Sequence, residues 1–391
     1  SHGYFILVSL GYLFIGLACI TLIGANWEDI PRAVRMIGLI ALTLATHIFG
    51  LFKYTNGNEK AGTALFFLGS IFYGTSIMLI AQIYHIGEHF PDGILWWALG
   101  VLPLAVILKS GLLMILTAGL AFIWFFTETS LNYYPLLFPV FLSAMGWYAF
   151  LARQNSLVFI FFISGAGLFV EYSLSWMIGD FRHFSAGIEN LFLGFGIFIF
   201  LFGLSNWLIT RPENRLKDYG TLLFIWGLRF YIFTLIIFSF ENPWQEVIRA
   251  EWHSPLSTLV LVIAFCLTGI LMSGLTRKPV LIQSAISVLV CGLFLIFAWN
   301  NNELDHLYFQ VGGNIFLIIT GVWLIVQGIR HSISHFFFLG ILTVLITGFC
   351  RYIDLVEDYI GAAVLFAVFA GILLATARYW RHHHGMEMVK P

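Results

Sequence analysis

The sequence predicts an all-α, polytopic integral membrane protein of about 14 transmembrane helices with both termini cytoplasmic. Three observations carry that prediction. Hydrophobic residues make up 60% of the 391 and charged residues 10%, at a mean hydropathy of +0.92; a soluble domain of this size needs far more charge to cover its surface. Apolar runs recur at the length of about 20 residues that a helix needs to cross about 30 Å of hydrocarbon. The loops between those runs alternate between basic and acidic.

The elements follow in order. The chain opens Ser1-His2-Gly3 without a methionine, and the expectation is a trimmed start or a preceding segment. Tyr4–Ala25 has no basic stretch ahead of it and no convincing cleavage site after it, so it reads as a retained helix. Ala33–Phe52 follows Pro31, whose missing N–H costs nothing at a helix start. Ala61–Tyr84 is long and ends in a polar run. Ile94–Leu108 and Leu112–Thr127 are short and joined only by Lys109-Ser110-Gly111, so a re-entrant pair is the alternative to two crossings. The remaining spans are Tyr133–Leu151, Ser156–Ile178, Gly187–Ile209, Tyr219–Ser239, Pro255–Leu275, Pro279–Trp299, Gln310–Gly328, Ile333–Phe349 and Tyr359–Arg378. The 37 glycines suit close helix packing in lipid.

Loop charge fixes the sidedness. Loops after even-numbered spans, with the C-terminal tail, hold 13 of the 19 Lys and Arg against four acids. Loops after odd-numbered spans, with the helix residue Glu171, hold the other 16 acids. Cytoplasmic loops concentrate Lys and Arg, so the first set faces the cytoplasm. Missing one helix would scramble the alternation, which favours fourteen. The whole chain then reads as a single transmembrane domain with no linker or extramembrane domain. A seven-plus-seven inverted repeat is arithmetically possible, but the halves show no matching motifs.

Net charge is −1, which gives no basic field for nucleic acid. The four cysteines (Cys19, Cys266, Cys291, Cys350) lie in or at the end of apolar runs and read as packing residues, with no metal spacing or disulfide framework. No cofactor is expected. The expected partners are membrane lipid and a small anionic or lipid-linked ligand.

Polar groups gather at the predicted outer boundary. Asn26-Trp27-Glu28-Asp29-Ile30-Pro31-Arg32-Ala33-Val34-Arg35 sets two acids and two guanidinium groups at one corner. Arg32 and Arg35 share a helix face. They either pair locally with Glu28 and Asp29 or form a fork for phosphate or carboxylate, a task that suits Arg better than Lys. The third span ends Gln82-Ile83-Tyr84-His85-Ile86-Gly87-Glu88-His89. Such groups are costly in lipid unless turned toward protein or water. His85 and His89 are spaced like a zinc pair, but Gly87 weakens the helix there, and a proton-linked His is the preferred reading. No metal is assigned.

Two charges lie deeper. Arg229 is central in Tyr219–Ser239, and Glu171 is in the outer third of Ser156–Ile178. Both spans are predicted to run outward, so a rise of about 1.5 Å per residue puts the two within a side chain's reach in depth. They are expected to pair, the alternative being a purely structural pair or an Arg that snorkels. The tail cluster His382-His383-His384 reads as a solvated basic end.

These residues resemble a prokaryotic family of predicted membrane proteins, domain of unknown function 2157. The resemblance rests on Asn26-Trp27 with Pro31, Arg32 and Arg35, on Gly74, on Gln82-Ile83-Tyr84-His85-Ile86, and on Trp96-Trp97. Arg351-Tyr352-Ile353-Asp354 is similar to a late Arg-Tyr-x-Asp element of such proteins. It divides the chain into a family-like part, 1–108, and the remaining helices, 109–391. It implies a multi-pass protein of a bacterial inner membrane and no particular reaction.

On the predicted topology Asn26, Glu28, Arg32, Arg35, Gln82, Tyr84, His85, Arg351 and Asp354 share the outer boundary and are expected to line an outward-facing polar cavity. The leading function is a transporter, or a permease that binds solute or lipid, with Glu171 and Arg229 as coupling or gating charges. It predicts polar groups continuing inward, with His47, Asn206 and Gln283 as candidates. An enzyme acting on a lipid-linked diphosphate at the outer leaflet is the alternative, with Glu28, His85 or Asp354 as its base. A non-catalytic scaffold is the third reading.

Overall fold

The computed structural model describes residues 31–84, 89–276, 280–299 and 305–354, with isolated positions near both ends. These residues form thirteen α-helices and no strand. Ten of the helices are long and apolar enough to cross a membrane, and two shorter apolar ones, Pro91–Ile107 and Phe138–Ala152, accompany them. The predicted second to thirteenth spans each correspond to one helix. The first and last predicted spans lie outside the described residues, apart from the isolated positions. The chain divides into two compact units, Ser1–Ala186 and Gly187–Pro391, a boundary between the seventh and eighth predicted spans.

Unit 1 holds α1 (Arg32–Thr55), α2 (Glu59–Tyr84), α3 (Pro91–Ile107), α4 (Gly111–Ser130), α5 (Phe138–Trp147) and α6 (Ser156–Ile178). Pro31 stands at the N-cap of α1, and Gly57, at φ +87°, lets the chain turn back into α2. Trp97 of α3 lies against Gly74 of α2: a Cβ there would come within 1.9 Å of the indole. The Trp97 indole N–H donates to the Ser70 carbonyl at 2.8 Å, so the glycine and the tryptophan form one joint. α3 and α4 are two separate helices packed together through a three-residue turn. Ser110 Oγ accepts from the Leu113 N–H at the start of α4, and Asn155 Oδ1 accepts from Leu157 and Val158 at the start of α6. α5 ends in a π-helical turn, Tyr148–Ala152, whose buried Tyr148 hydroxyl donates to the Lys109 carbonyl at 3.2 Å. Aromatic rings from α4, α5 and α6 (Phe122, Phe125, Phe138, Tyr172) fill the core between them.

Unit 2 holds α7 (Ile188–Ile209), α8 (Asn214–Ile237), α9 (Glu241–Arg249), α10 (Pro255–Gly274), α11 (Val280–Trp299), α12 (His306–Arg330) and α13 (Ser334–Asp354). α7 and α10 run in the same direction, Gly196 against Val262 and Gly203 against Gly269. A Cβ on Gly203 would sit 2.3 Å from the Gly269 carbonyl oxygen, so the backbones touch. One apolar cluster of unit 2 gathers Phe192, Ile199, Val247, Val262, Cys266, Phe294 and Phe297, and others form around Leu317 and Leu324 and around Ile325 and Val344.

One expectation changes. The stretch between Ser239 and Pro255, read as a plain outer loop, contains the short helix α9. Its Trp244, Val247 and Ile248 recur at helical spacing and turn inward, while Glu241, Glu246 and Arg249 are exposed. Nine residues were too few to stand out against the long spans around them.

Candidate functional site

In unit 1 the predicted rim residues fall at one end of the α1–α2 hairpin. Arg32 opens α1 and is exposed, and Arg35 is half-buried one turn on. Gln82 and Tyr84 are exposed at the end of α2. The Tyr84 hydroxyl donates to Met36 Sδ at 3.5 Å, which fastens that end of α2 to the first turns of α1. Asn26, Glu28 and His85 lie outside the described residues. His89, weighed as half of a metal pair, instead meets Glu128 of α4: Nε2 to Oε2 is 2.8 Å, and the ring packs edge-on against Tyr133 at 4.6 Å. Sequence reasoning missed Glu128, which lies 39 residues from His89 and carries no local signal. His47 Nδ1 bonds the Thr43 carbonyl at 2.8 Å, one turn back on its own helix.

In unit 2 the last predicted rim group, Arg351, is drawn into a polar cluster at the C-terminal end of α8. Its guanidinium donates to Ser239 Oγ at 3.4 Å and lies 5.0 Å from the centre of the Phe240 ring. The Ser239 carbonyl accepts from Asn314 Nδ2 at 3.1 Å and from Gln310 Nε2 at 3.4 Å, both on α12. Asn314 Oδ1 is buried with no hydrogen-bond partner among the described residues. Asp354 is the last residue of α13. Gln310 and Asn314 are four apart, a spacing that could have marked one polar helix face.

At the same end of unit 2 stands Glu189, fully buried at 0% exposure. Its Oε1 accepts the backbone N–H groups of His253 at 2.5 Å and Ser254 at 2.9 Å, the two residues before α10. A carboxylate at a helix N-terminus meets both unpaired donors and the positive end of the dipole. Its Oε2 has no partner among the described residues.

The opposite end of the α7–α10–α11 bundle carries a second polar group. Asn206 Nδ2 donates to Ser273 Oγ at 3.4 Å, and the Ser273 hydroxyl donates to Gln283 Oε1. Gln283 Nε2 then donates to the Ile199 carbonyl at 2.9 Å, midway along α7. Ser273 and Gln283 are 0% and 1% exposed. Two of the three candidates expected to lie inward, Asn206 and Gln283, are thus joined through a serine that the sequence did not single out. Gly269 makes room for the chain, since a Cβ there would meet Gln283 Nε2 at 2.6 Å and the Ile199 carbonyl at 2.9 Å.

The intramembrane charges lie in different units. Glu171 is half-buried in α6 of unit 1. Arg229 is exposed in α8 of unit 2, its guanidinium 5.3 Å from the centre of the Trp226 ring. The described residues contain no group of three or more His, Cys, Asp or Glu placed to hold a metal ion.

No curated protein and no solved structure matches the chain. Residues 1–114, from the opening of the chain through the first turn of α4, match the family model described as predicted membrane protein (DUF2157).

Proposed function

We propose that this multi-pass membrane protein is a transporter for a small polar solute, with unit 2 supplying the path. The observation that supports the reading is the buried chain from Asn206 through Ser273 and Gln283 to the Ile199 carbonyl. Hydrogen-bonding side chains inside a bundle are costly in a membrane unless they serve packing or a polar passenger. The chain consists of amides and a hydroxyl. Such groups bind polar solutes but do not act as acid or base near neutral pH, which favours transport over catalysis. The aromatic layer of Phe192, Trp252, Phe294 and Phe297 fills the other end of the same three helices and has the character of a closed gate.

Within each unit the rim residues are proposed to bind polar solute, the Arg groups suiting an anionic part and the carboxyl groups a hydroxyl or cationic part. In unit 1 these are Asn26, Glu28, Arg32, Arg35, Gln82, Tyr84 and His85; in unit 2 they are Arg351 and Asp354. The resemblance to the DUF2157 family supports a bacterial inner membrane, and the loop charges support a cytoplasmic side for the loops after even-numbered spans.

The test is water accessibility at the buried chain. Ser273→Cys, with Cys19, Cys266, Cys291 and Cys350 replaced by Ser, is exposed in sealed vesicles to a membrane-impermeant thiol reagent from each side. Labelling from at least one side is expected; protection from both sides would dismiss the path. In the same vesicles, Glu171→Gln and Arg229→Gln should change the labelling rate if these charges gate it, and an unchanged rate removes that role.

A further inference from the structure

Beyond the polar chain, unit 2 has a pocket at the end where α7 and α10 stop. It is an open recess of about 340 Å³ lined by Trp207, Thr210, Arg211, Pro212, Leu275 and Thr276. The Arg211 guanidinium lies over the Trp207 ring, 3.9 Å from its centre. Its Nε is buried and has no hydrogen-bond partner among the described residues. Among the described residues no carboxylate pairs with it, and the nearest acid in sequence, Glu213, lies 3.5 Å from Arg215. The buried Nε anchors the side chain in apolar surroundings, so a ligand in the pocket meets the guanidinium through its outer N–H groups.

We propose that this pocket holds a phosphate group, bound by Arg211 against Trp207. The planar guanidinium presents paired N–H donors that match phosphate oxygens, which a point-charge ammonium does not. Both threonine hydroxyls already donate to backbone carbonyls, Thr210 to Trp207 at 2.8 Å and Thr276 to Ser273 at 2.8 Å. Two helix C-termini also end here, and their carbonyls disfavour an anion. Arg211 therefore carries the recognition. The pocket lies at the end whose loop is rich in Lys and Arg (Arg211, Arg215, Lys217), the side that loop charge predicts to be cytoplasmic. A tryptophan beside basic residues at a membrane boundary suits the headgroup level. The phosphate then comes from an anionic glycerophospholipid of that leaflet or from a soluble phosphorylated solute.

The experiment uses the full chain in detergent, with retained lipid counted by native mass spectrometry. Phosphatidylglycerol and phosphatidylcholine are offered at equal concentration, and inorganic phosphate is offered in a separate arm. Wild type is expected to keep phosphatidylglycerol in preference to phosphatidylcholine. Arg211→Gln should lower that preference about tenfold, the scale of one charged hydrogen-bonded contact. Arg211→Lys should keep part of it, and Lys217→Gln, which removes the same charge at an exposed position outside the pocket, should leave it intact. If inorganic phosphate instead stabilises wild type but not Arg211→Gln, the site stands and its phosphate is soluble. Should Arg211→Gln fail to fold, Arg211→Lys and the wild-type preference decide. Lipid retention that Arg211→Gln and Arg211→Lys leave unchanged, with no response to inorganic phosphate, overturns the site; equal retention of the two lipids by wild type overturns the preference for an anionic headgroup.

Discussion

The two units bury different kinds of polar group. Among the described residues, the polar side chains buried in unit 1 are hydroxyls: Ser70, Ser76, Ser110, Thr117 and Ser175. Most of these satisfy themselves locally, as Ser70 does with the Phe66 carbonyl at 2.8 Å and Thr117 with Leu113 at 2.9 Å. Unit 2 buries hydroxyls too, but adds the carboxylate of Glu189 and the carboxamide of Gln283. A hydroxyl inside a helix can donate to its own preceding turn and needs no neighbour. A carboxylate or carboxamide cannot satisfy itself that way, so it ties one helix to another. Unit 1 therefore joins its helices by shape and by hydroxyl or indole bonds, as where Trp97 packs on Gly74 and donates to the Ser70 carbonyl, with no buried carboxylate or carboxamide among its described residues. Unit 2 is held by shape and by specific polar ties, and ties that can exchange for a solute are what a path requires.

The contrast breaks first, and by the largest amount, at Glu189. Glu189→Ala strands the His253 and Ser254 N–H groups in a buried site, and each unmet donor costs about 1–3 kcal/mol. A loss of about 2–6 kcal/mol is expected, read as a lower midpoint in detergent unfolding. If Glu189→Ala unfolds like wild type, the carboxylate is not the tie described and the difference between the units shrinks to Gln283.

Gln283 tests the second tie. Gln283→Leu removes the acceptor of the Ser273 hydroxyl and the donor to the Ile199 carbonyl. Interhelical hydrogen bonds in membranes are worth about 0.6 kcal/mol on average and about 1.7 at most, so a loss of about 1–2 kcal/mol is expected. The matching change in unit 1 is Ser76→Ala. Ser76 Oγ bonds the Phe72 carbonyl of its own helix at 2.7 Å and reaches Thr43 at 3.1 Å. Its loss should stay under about 1 kcal/mol. Equal losses at the two positions, read in the same unfolding assay, would erase the contrast.

What the sequence disclosed follows the same division. The all-α architecture and the twelve described spans were legible because apolar length is a local signal. The start of α1 at Pro31–Arg32 and the polar end of α2 at Gln82–Tyr84 were legible for the same reason. α8 begins at Asn214, earlier than the expected Tyr219, because Lys217 and Asp218 are polar yet helical beyond the apolar stretch. The ties were not legible. Glu189 meets partners 64 and 65 residues away, and Gln283 reaches Ile199 across 84. Nothing local marks such distances. α9 was hidden by its brevity, although its helical spacing of Trp244, Val247 and Ile248 is visible once sought.

The smallest expected effect is at His89, where unit 1 has an imidazole–carboxylate hydrogen bond of its own. His89 and Glu128 join the approach to α3 with the end of α4, and their side chains are 25% and 13% exposed. Water reaches this pair, unlike Glu189, so its attraction is screened and its entropy cost is not offset by burial. His89→Ala should cost about 0.2–1 kcal/mol, the edge-on packing against Tyr133 included. The electrostatic share should fade as salt rises through about 1 M, where the screening length falls to about 3 Å. The loss at Glu189→Ala should be nearly independent of salt, because no counterion reaches a fully buried carboxylate. Measuring both variants across one salt series separates the two kinds of polar contact in a single experiment. If His89→Ala matched Glu189→Ala in size and salt response, a polar tie as deep as those of unit 2 would exist in unit 1, and the path could not be assigned to unit 2 on polar burial alone.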